Sequence, residues 1–472
     1  MVKIGPDAAV DSLLDFEKIP DDPTVPDWAK PDPQRAEHQR QLQALNQKVQ
    51  MATSEDEKTK LAEERRQFQQ QFQRDTNLDL LAMRANWLER MTGGPRPFQE
   101  KLTLFWHGHF ATSSVKVREP YFMWRQIQTF REKGTGNWLD LLQAVATDPA
   151  MLLWLDQAQS RREHPNENFA RECMELFTLG EGHYTEKDVT EAARAMTGWS
   201  LDRDTESYRY RPFFHDSGLK TVFGQTGPLT GNDVLQMIVA QPQSRRFITG
   251  KLWKFFATDA LDPDLNDAMA DAFLAGRLNF HPFLRTLFRS EEFYSAKVMG
   301  SQIKSPVQWL VSSSRMLERP LPPPAVSIEM IRTLGQDLLA PPNVKGWDGG
   351  LSWITTNTLL SRYNQAAVLV MGQGNLQATA GGAPGQGMLA QQANLMARFM
   401  RPINVNNIIA ADERADHERL LAALEKRFLL TSFSEEHRQV LRDYIAGREV
   451  LRDDDIRHLV RLLLATPEFQ VC

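Results

Sequence analysis

The stretch from His164 to Trp199, HPNENFARECMELFTLGEGHYTEKDVTEAARAMTGW, constrains this chain more than any other. Its spacing predicts two amphipathic helices joined by a glycine-bearing turn. At about 100° per residue, Glu167, Asn168, Arg171, Glu172 and Glu175 fall within an arc of roughly 140°. Phe169, Ala170, Cys173, Met174, Leu176 and Phe177 fill the rest of that helix. Asn166 is placed to cap its start, and Gly180 stands where a left-handed residue ends a helix. Thr185 with Asp188 three residues later makes a short capping box for the second helix.

The rest of the chain also reads as helices. QRAEHQRQLQALNQKVQ and DEKTKLAEERRQFQQQFQRD (residues 34–75) lack Pro and Gly and are strongly polar, which predicts one long or two paired solvent-exposed helices. Leu42, Leu45 and Val49 give only a thin coiled-coil-like stripe. From residue 76 the pattern turns apolar and helical, with one interruption. SYRYRPFFHDSGLKTVFG predicts a small β-hairpin or flap with a turn at 216–218. PLPPP at 320–324 reads as a rigid hinge, and GQGNLQATAGGAPGQGM at 372–388 as a flexible linker. The expected organisation is a lead-in (1–33), a polar helical arm (34–75), a main helical domain (76–371), the linker (372–388) and a C-terminal helical segment (389–472). The fold class is mainly α, a multi-helix globular bundle with a small β-hairpin flap.

Several classes are excluded or narrowed. The chain carries 55 Lys and Arg against 60 Asp and Glu, a net charge of −5, which argues against a nucleic-acid partner. No apolar run reaches the roughly 18 residues of a membrane span. The start, MVKIGPDAAVDSLLDFEKIPDD, has no apolar core or cleavage site, so the sequence as given predicts a cytoplasmic protein. With only Cys173 and Cys472, neither a structural disulfide nor a cysteine metal site is expected. G-x-S-x-G, Walker A and H-E-x-x-H motifs are missing.

The residues with chemical potential are His107, His109, the stripe Glu167, Asn168, Arg171, Glu172 and Glu175, then Asp188, His215 and Asp216. The loop APPNVKGWDGG adds Lys345 and Trp347 among glycines and prolines, a construction that lines pockets. A divalent metal held by His107, His109, Glu172 and Glu175 fits the chemistry of such ions. Glu172 and Glu175 converge at i and i+3, but two residues on one helix are about 200° apart, so His107 and His109 share an ion only if the helix ends between them. The competing reading makes each His a satisfied core residue and Glu167, Arg171 and Glu175 i,i+4 ion pairs. A carboxylate pair beside sugar-stacking Trp106, Trp199, Trp347 or Trp353 is a further option, though no spacing selects the pair. An EF-hand over 177–189 lacks the alternating ligands such a loop needs.

Taken together, EKLTLFWHGHFATS, DPAMLLWLD, the 166–199 stretch, HDSGLKTVFGQTG, KSPVQWL, PPNVKGWDGGLSWI and ATPEFQ resemble, in order and over nearly the whole chain, the bacterial domain-of-unknown-function 1800 family. The resemblance implies a mostly helical fold and no established activity. It also implies an exported or periplasmic setting if a further N-terminal stretch precedes this sequence, and a co-encoded sulfatase-like partner. Two functions follow as expectations. One is a binding or assembly protein of the cell envelope acting with that partner. The other is a metal- or carboxylate-dependent hydrolase with its site in 106–216.

Overall fold

The computed structural model describes residues 4–21, 24–31, 33–202, 205–372, 401–414, 416–448 and 451–472. The expected linker lies outside the described residues from 373 onward. The chain is mainly α, with two small antiparallel hairpins among the described residues. A continuous apolar core runs from Val10 and Leu14 near the start to Phe469 near the end.

The polar arm forms a helical hairpin, Pro33–Met51 followed by Glu55–Gly93. Ser54 caps the second helix by accepting from the Glu57 amide at 3.2 Å. That helix has 39 residues, about 58 Å at 1.5 Å per residue. It continues past residue 76 without a break: Leu80, Met83, Trp87, Leu88 and Met91 bury its lower part, while most of the rest reaches solvent. Arm and body are therefore covalently one helix, and the change in composition marks entry into the core rather than an element boundary.

Arg90, at the buried end, ties this helix to the centre. Glu100 is buried and accepts from Trp87 Nε1 at 2.9 Å, Arg90 Nε at 2.9 Å and Arg131 Nη2 at 2.9 Å. Three helices, Glu55–Gly93, Pro97–His109 and Pro120–Lys133, are locked by one carboxylate. Removing one partner of such a buried cluster leaves the others desolvated and unpaired, which costs about 3–5 kcal/mol. Next to it Trp106, fully buried, packs on Phe110, Trp138 and Phe280 at ring separations of 5.8, 6.2 and 4.9 Å. These aromatics fix the helix that carries both histidines.

The recognisable pair of helices forms as its caps dictate. Asn166 accepts from the Phe169 amide, and Thr185 with Asp188 completes the capping box. One feature departs from the simple pattern: after Glu167–Met174 the chain widens into a turn of π-helix at Glu175–Leu179 before Gly180. Such turns recur at functional sites. Here the Thr178 hydroxyl donates to the Cys173 carbonyl at 2.6 Å.

The flap is two hairpins where one was expected. Trp199–Asp202 (β1) pairs with Ser207–Tyr210 (β2), and Lys220–Val222 (β3) with Gln225–Gly227 (β4). The 216–218 stretch lies between them. The second hairpin turns at Phe223 and Gly224, with φ of 47° and 75°. Two positive φ angles suit a two-residue turn, but phenylalanine is an unusual occupant, so the sequence gives no turn signal there.

The C-terminal helices close the body from one side. The Asp453–Ala465 helix packs on Thr356–Met371, and Arg362, buried, donates to Gln470 Oε1 at 3.0 Å and the Lys304 carbonyl at 2.8 Å. The Lys304 ammonium donates to the Phe469 carbonyl at 2.6 Å.

Candidate functional site

Helix Pro97–His109 includes both histidines, so their rings leave it on different sides. His107 is fully buried between Trp87 and Trp347, with ring centroids 5.4 and 5.6 Å away. Its Nε2 accepts the Leu339 amide at 3.2 Å, which fixes the Nδ1–H tautomer and leaves Nδ1 buried without a partner. Burial, with Arg84 nearby, lowers its pKa to about 3. His109 lies against Phe105 and Phe177, and its Nε2–H donates to the Phe177 carbonyl at 3.0 Å. Burial, with Lys251 adding repulsion, likewise lowers its pKa to about 3. Both rings are neutral at physiological pH.

The stripe turns toward its own helix partner. Arg171 clamps Glu186 with two bonds of 2.7 and 2.6 Å, Glu167 accepts from the Thr190 hydroxyl at 3.0 Å, and the Tyr184 hydroxyl donates to Glu175. Asn168 is exposed. Glu172 is half-buried; burial and the neighbouring Glu175 push its carboxyl above the ordinary range. His107, His109, Glu172 and Glu175 are not gathered. Among the described residues no three His, Cys, Asp or Glu side chains come together to hold a metal ion. The two imidazoles already spend Nε2 on backbone groups, so the residues present do not fit the proposed ion.

Asp188 and Asp216 brace the second hairpin, while His215 bonds back to Thr197. Asp188 accepts the Phe223 amide at 2.7 Å as well as capping its own helix. Burial opposes its ionisation, but the Thr185 and Phe223 hydrogen bonds outweigh it and hold the carboxyl below the usual range. Asp216 receives Arg194 Nε at 2.7 Å, which keeps its carboxyl low. His215 Nδ1 lies 3.0 Å from the Thr197 carbonyl oxygen.

The loop after Pro341 behaves differently. Gly346 has φ 87°, and a Cβ there would stand 2.2 Å from the Gly108 carbonyl oxygen. Only glycine admits this approach, which lays KGWDGG across WHGH. Leu339, with φ 64°, accepts the Ser114 amide at 2.7 Å and donates to His107. Next to this junction opens a cleft of about 240 Å³. It is lined by Phe105 and His109 from one helix, Lys251 and Lys254 one turn apart on Pro242–Phe256, and Lys345, Trp347 and Asp348 from the loop. Gln302, Gln308, Gln336, Asp259, Ser301 and Ser305 complete the polar lining.

Thus His109, Lys345 and Trp347 are the sequence candidates that meet in one cleft, with His107 packed directly behind Trp347. None of the stripe residues lines it. Lys345 Nζ is 2.8 Å from Asp348 Oδ1. Burial, then the neighbouring cations Lys254 and Lys345, lowers the Lys251 pKa. Among the described residues no carboxylate pairs with Lys251 or Lys254. Like charges crowded at a concave, aromatic-walled site with one short carboxylate contact suit an anion. Lys251 and Lys254 were missed from sequence; GKLWKFF presents them at i and i+3 beside Phe255, but nothing local says that this face meets a loop nearly a hundred residues further on.

The fold is that of a mainly helical protein with a polar cleft between a histidine-bearing helix and a glycine-rich loop. The chain belongs to the protein family of unknown function DUF1800, whose model matches residues 1–471. No curated protein and no solved structure matches it. No helix among the described residues is long and apolar enough to cross a membrane.

Proposed function

We propose that this protein is a binding protein whose ligand presents an anionic group to Lys251, Lys254 and Lys345. We place it in the bacterial cell envelope, working with a co-encoded sulfatase-like protein. The observation that carries the reading is the convergence of three lysines with Trp347 and His109 in one cleft. Part of its lining comes from segments that make the family recognisable: Gly108 and His109 of WHGH, Ser305 and Gln308 of KSPVQW, and KGWDGG. The neutral His109, with Nε2 committed to Phe177, adds a fixed polar edge rather than another charge. Sulfate esters, phosphate esters and carboxylates share the required chemistry.

Titration calorimetry with inorganic sulfate and inorganic phosphate at low ionic strength tests the cleft. Saturable binding at one site that weakens about tenfold in Lys251→Ala supports it, an ion pair of about 1.4 kcal/mol being one decade. Equal heats in wild type and the Lys251→Ala, Lys254→Ala double variant reject it. The partner is tested separately. Co-purification of the sulfatase-like protein should be lost when exposed residues of the long hairpin are reversed in charge (Glu64→Lys with Arg66→Glu). Retention in that variant removes the arm from the partner interface.

A second reading, a carboxylate-dependent hydrolase with its site in 106–216, draws support from Glu172 alone. Its carboxyl is raised by burial and by the neighbouring Glu175, which itself takes the Tyr184 hydroxyl, and two carboxyl groups held side by side in different environments make an acid–base arrangement. Glu172→Gln should then remove any hydrolytic activity found with the purified protein while leaving sulfate binding intact.

A further inference from the structure

Leu104 is a shared wall of the cleft. A second hollow, an apolar groove of about 790 Å³, lies on the other side of that residue, and Leu104 and Gln308 line both. Helix Pro97–His109 shows how the two are joined. Its residues 97, 98, 101 and 104 line the groove, and 104, 105, 108 and 109 line the cleft. Those positions follow the i, i+4, i+7, i+11 spacing of a single helix face. One continuous stripe of about 18 Å therefore floors both hollows. The neighbouring walls alternate in the same way: Phe255 faces the cleft and Phe256 the groove, Ser305 the cleft and Val307 the groove.

The chemistry changes along that stripe. The cleft end holds Lys251, Lys254 and Lys345. The groove end is walled by Phe98, Phe256, Phe288, Phe293, Val311 and Met316. Basic side chains also stand at the groove: Lys101 lies over the Phe256 ring with Nζ 5.6 Å from its centre, and Arg315 and Lys304 line the wall, Lys304 beside the negative charge of Cys472. The carboxylate side chain that lines the groove, Glu100, is already shared by Trp87, Arg90 and Arg131. A basic amphipathic helix would meet repulsion at both ends. An anionic head joined to an apolar tail meets cations at one end and aromatic rings at the other.

We propose that the ligand is a single-chain anionic amphiphile, with its head among Lys251, Lys254 and Lys345 and its alkyl chain passing Leu104 into the Phe98–Phe256 groove. This rests on the anion-binding reading of the cleft and extends it to a substrate class. Volume supports it, since the groove is within the range of sites that enclose small organic ligands.

The test is calorimetry with ethyl phosphate and octyl phosphate, both below the concentration at which octyl phosphate forms micelles. Burial of methylenes strengthens binding by about fourfold each, so octyl phosphate is expected to bind at least about 100-fold tighter than ethyl phosphate. Val311→Glu, which puts a charge into the groove, removes that gain and leaves ethyl phosphate binding as it was. Phe293→Ala, a milder change at a half-buried ring, reduces the gain per methylene and covers the case in which Val311→Glu does not fold. Equal affinities for the two phosphates, or a chain-length gain untouched in both variants, overturn the amphiphile and leave the anion site standing. An acidic amphipathic peptide that displaces ethyl phosphate where octyl phosphate shows no gain overturns it in favour of a protein ligand. Absence of binding by either phosphate takes down the cleft reading and this one with it.

Discussion

The helix pair 167–195 and the cleft beside Trp347 are built on opposite principles. In the helix pair most of the stripe is bonded within the same thirty residues, Arg171 to Glu186, Glu175 to Tyr184 and Glu167 to Thr190, while Asp188 and Arg194 reach only as far as the adjoining flap. In the cleft, Lys251 and Lys254 lie between two elements far away in sequence and have cations for neighbours. A polar stripe whose partners are local is stitching. Charge left unmatched where distant segments meet is where a ligand has something to gain. The close packing follows the same division, since the stripe's bonds reach solvent while the loop at Gly346 rests directly on the Gly108 backbone.

The largest effect expected from this contrast is at Gly346. Gly346→Ala drives a methyl into the Gly108 carbonyl from a positive φ, and should lower stability by about 3 kcal/mol or more in chemical unfolding. A change of less than about 1 kcal/mol would mean that the loop is not seated on the helix.

Acid sensitivity comes next. The pKa values of His107 and His109 are about 3 in the folded chain and about 6.5 when unfolded, so the unfolded state takes up protons first as pH falls. Their contribution is complete above about pH 6.5 and is lost progressively toward pH 3. Asp148, buried and raised to about 7, works the other way: its contribution is complete below its unfolded value and is lost as pH rises through about 7. Two imidazoles against one carboxyl leave Tm lower at pH 4.5 than at pH 7.5. The double variant His107→Gln, His109→Gln should show a smaller drop, with Gln able to reproduce the Nε2 contacts. An equal drop in that variant would assign the acid sensitivity elsewhere.

Lys251→Ala should leave Tm unchanged or slightly raised, because it removes a repelled cation, while weakening sulfate about tenfold in the same preparation. A large loss of stability would make the lysine a structural residue.

The smallest effect is reserved for the stripe. Arg171→Ala breaks an exposed pair, and exposed pairs contribute little. Thermal unfolding should not resolve it from wild type, and sulfate binding should be untouched. Weakened sulfate binding in Arg171→Ala would join the two regions that are separate here.

What could be read in the sequence follows from how far each signal travels. Caps and periodicity act over four residues, so Asn166, Thr185 and Asp188 announce their helices correctly. The flap was legible as strand but not as two hairpins, because Phe223 turns the chain where asparagine would have advertised it. Of the site, His109, Lys345 and Trp347 stood out for their types and their glycine-rich surroundings. The metal set failed for a geometric reason already visible in part: a helix that does not end between 107 and 109 sends the two imidazoles to different sides. Lys251 and Lys254 carry no local mark at all, since their role depends on which loop folds over them.

The most direct test of the claim that the cleft, and not the stripe, is the functional site is an indole spectrum. The 1H–15N signals of the eleven tryptophans can be followed while inorganic sulfate is titrated in. Trp347 lines the cleft, and Trp199 packs on Phe169 beneath the stripe helix. The account predicts that the Trp347 signal shifts and saturates, that Trp199 stays still, and that Lys251→Ala abolishes the response. A shift at Trp199 with Trp347 unmoved, or no saturable shift at either, would contradict it.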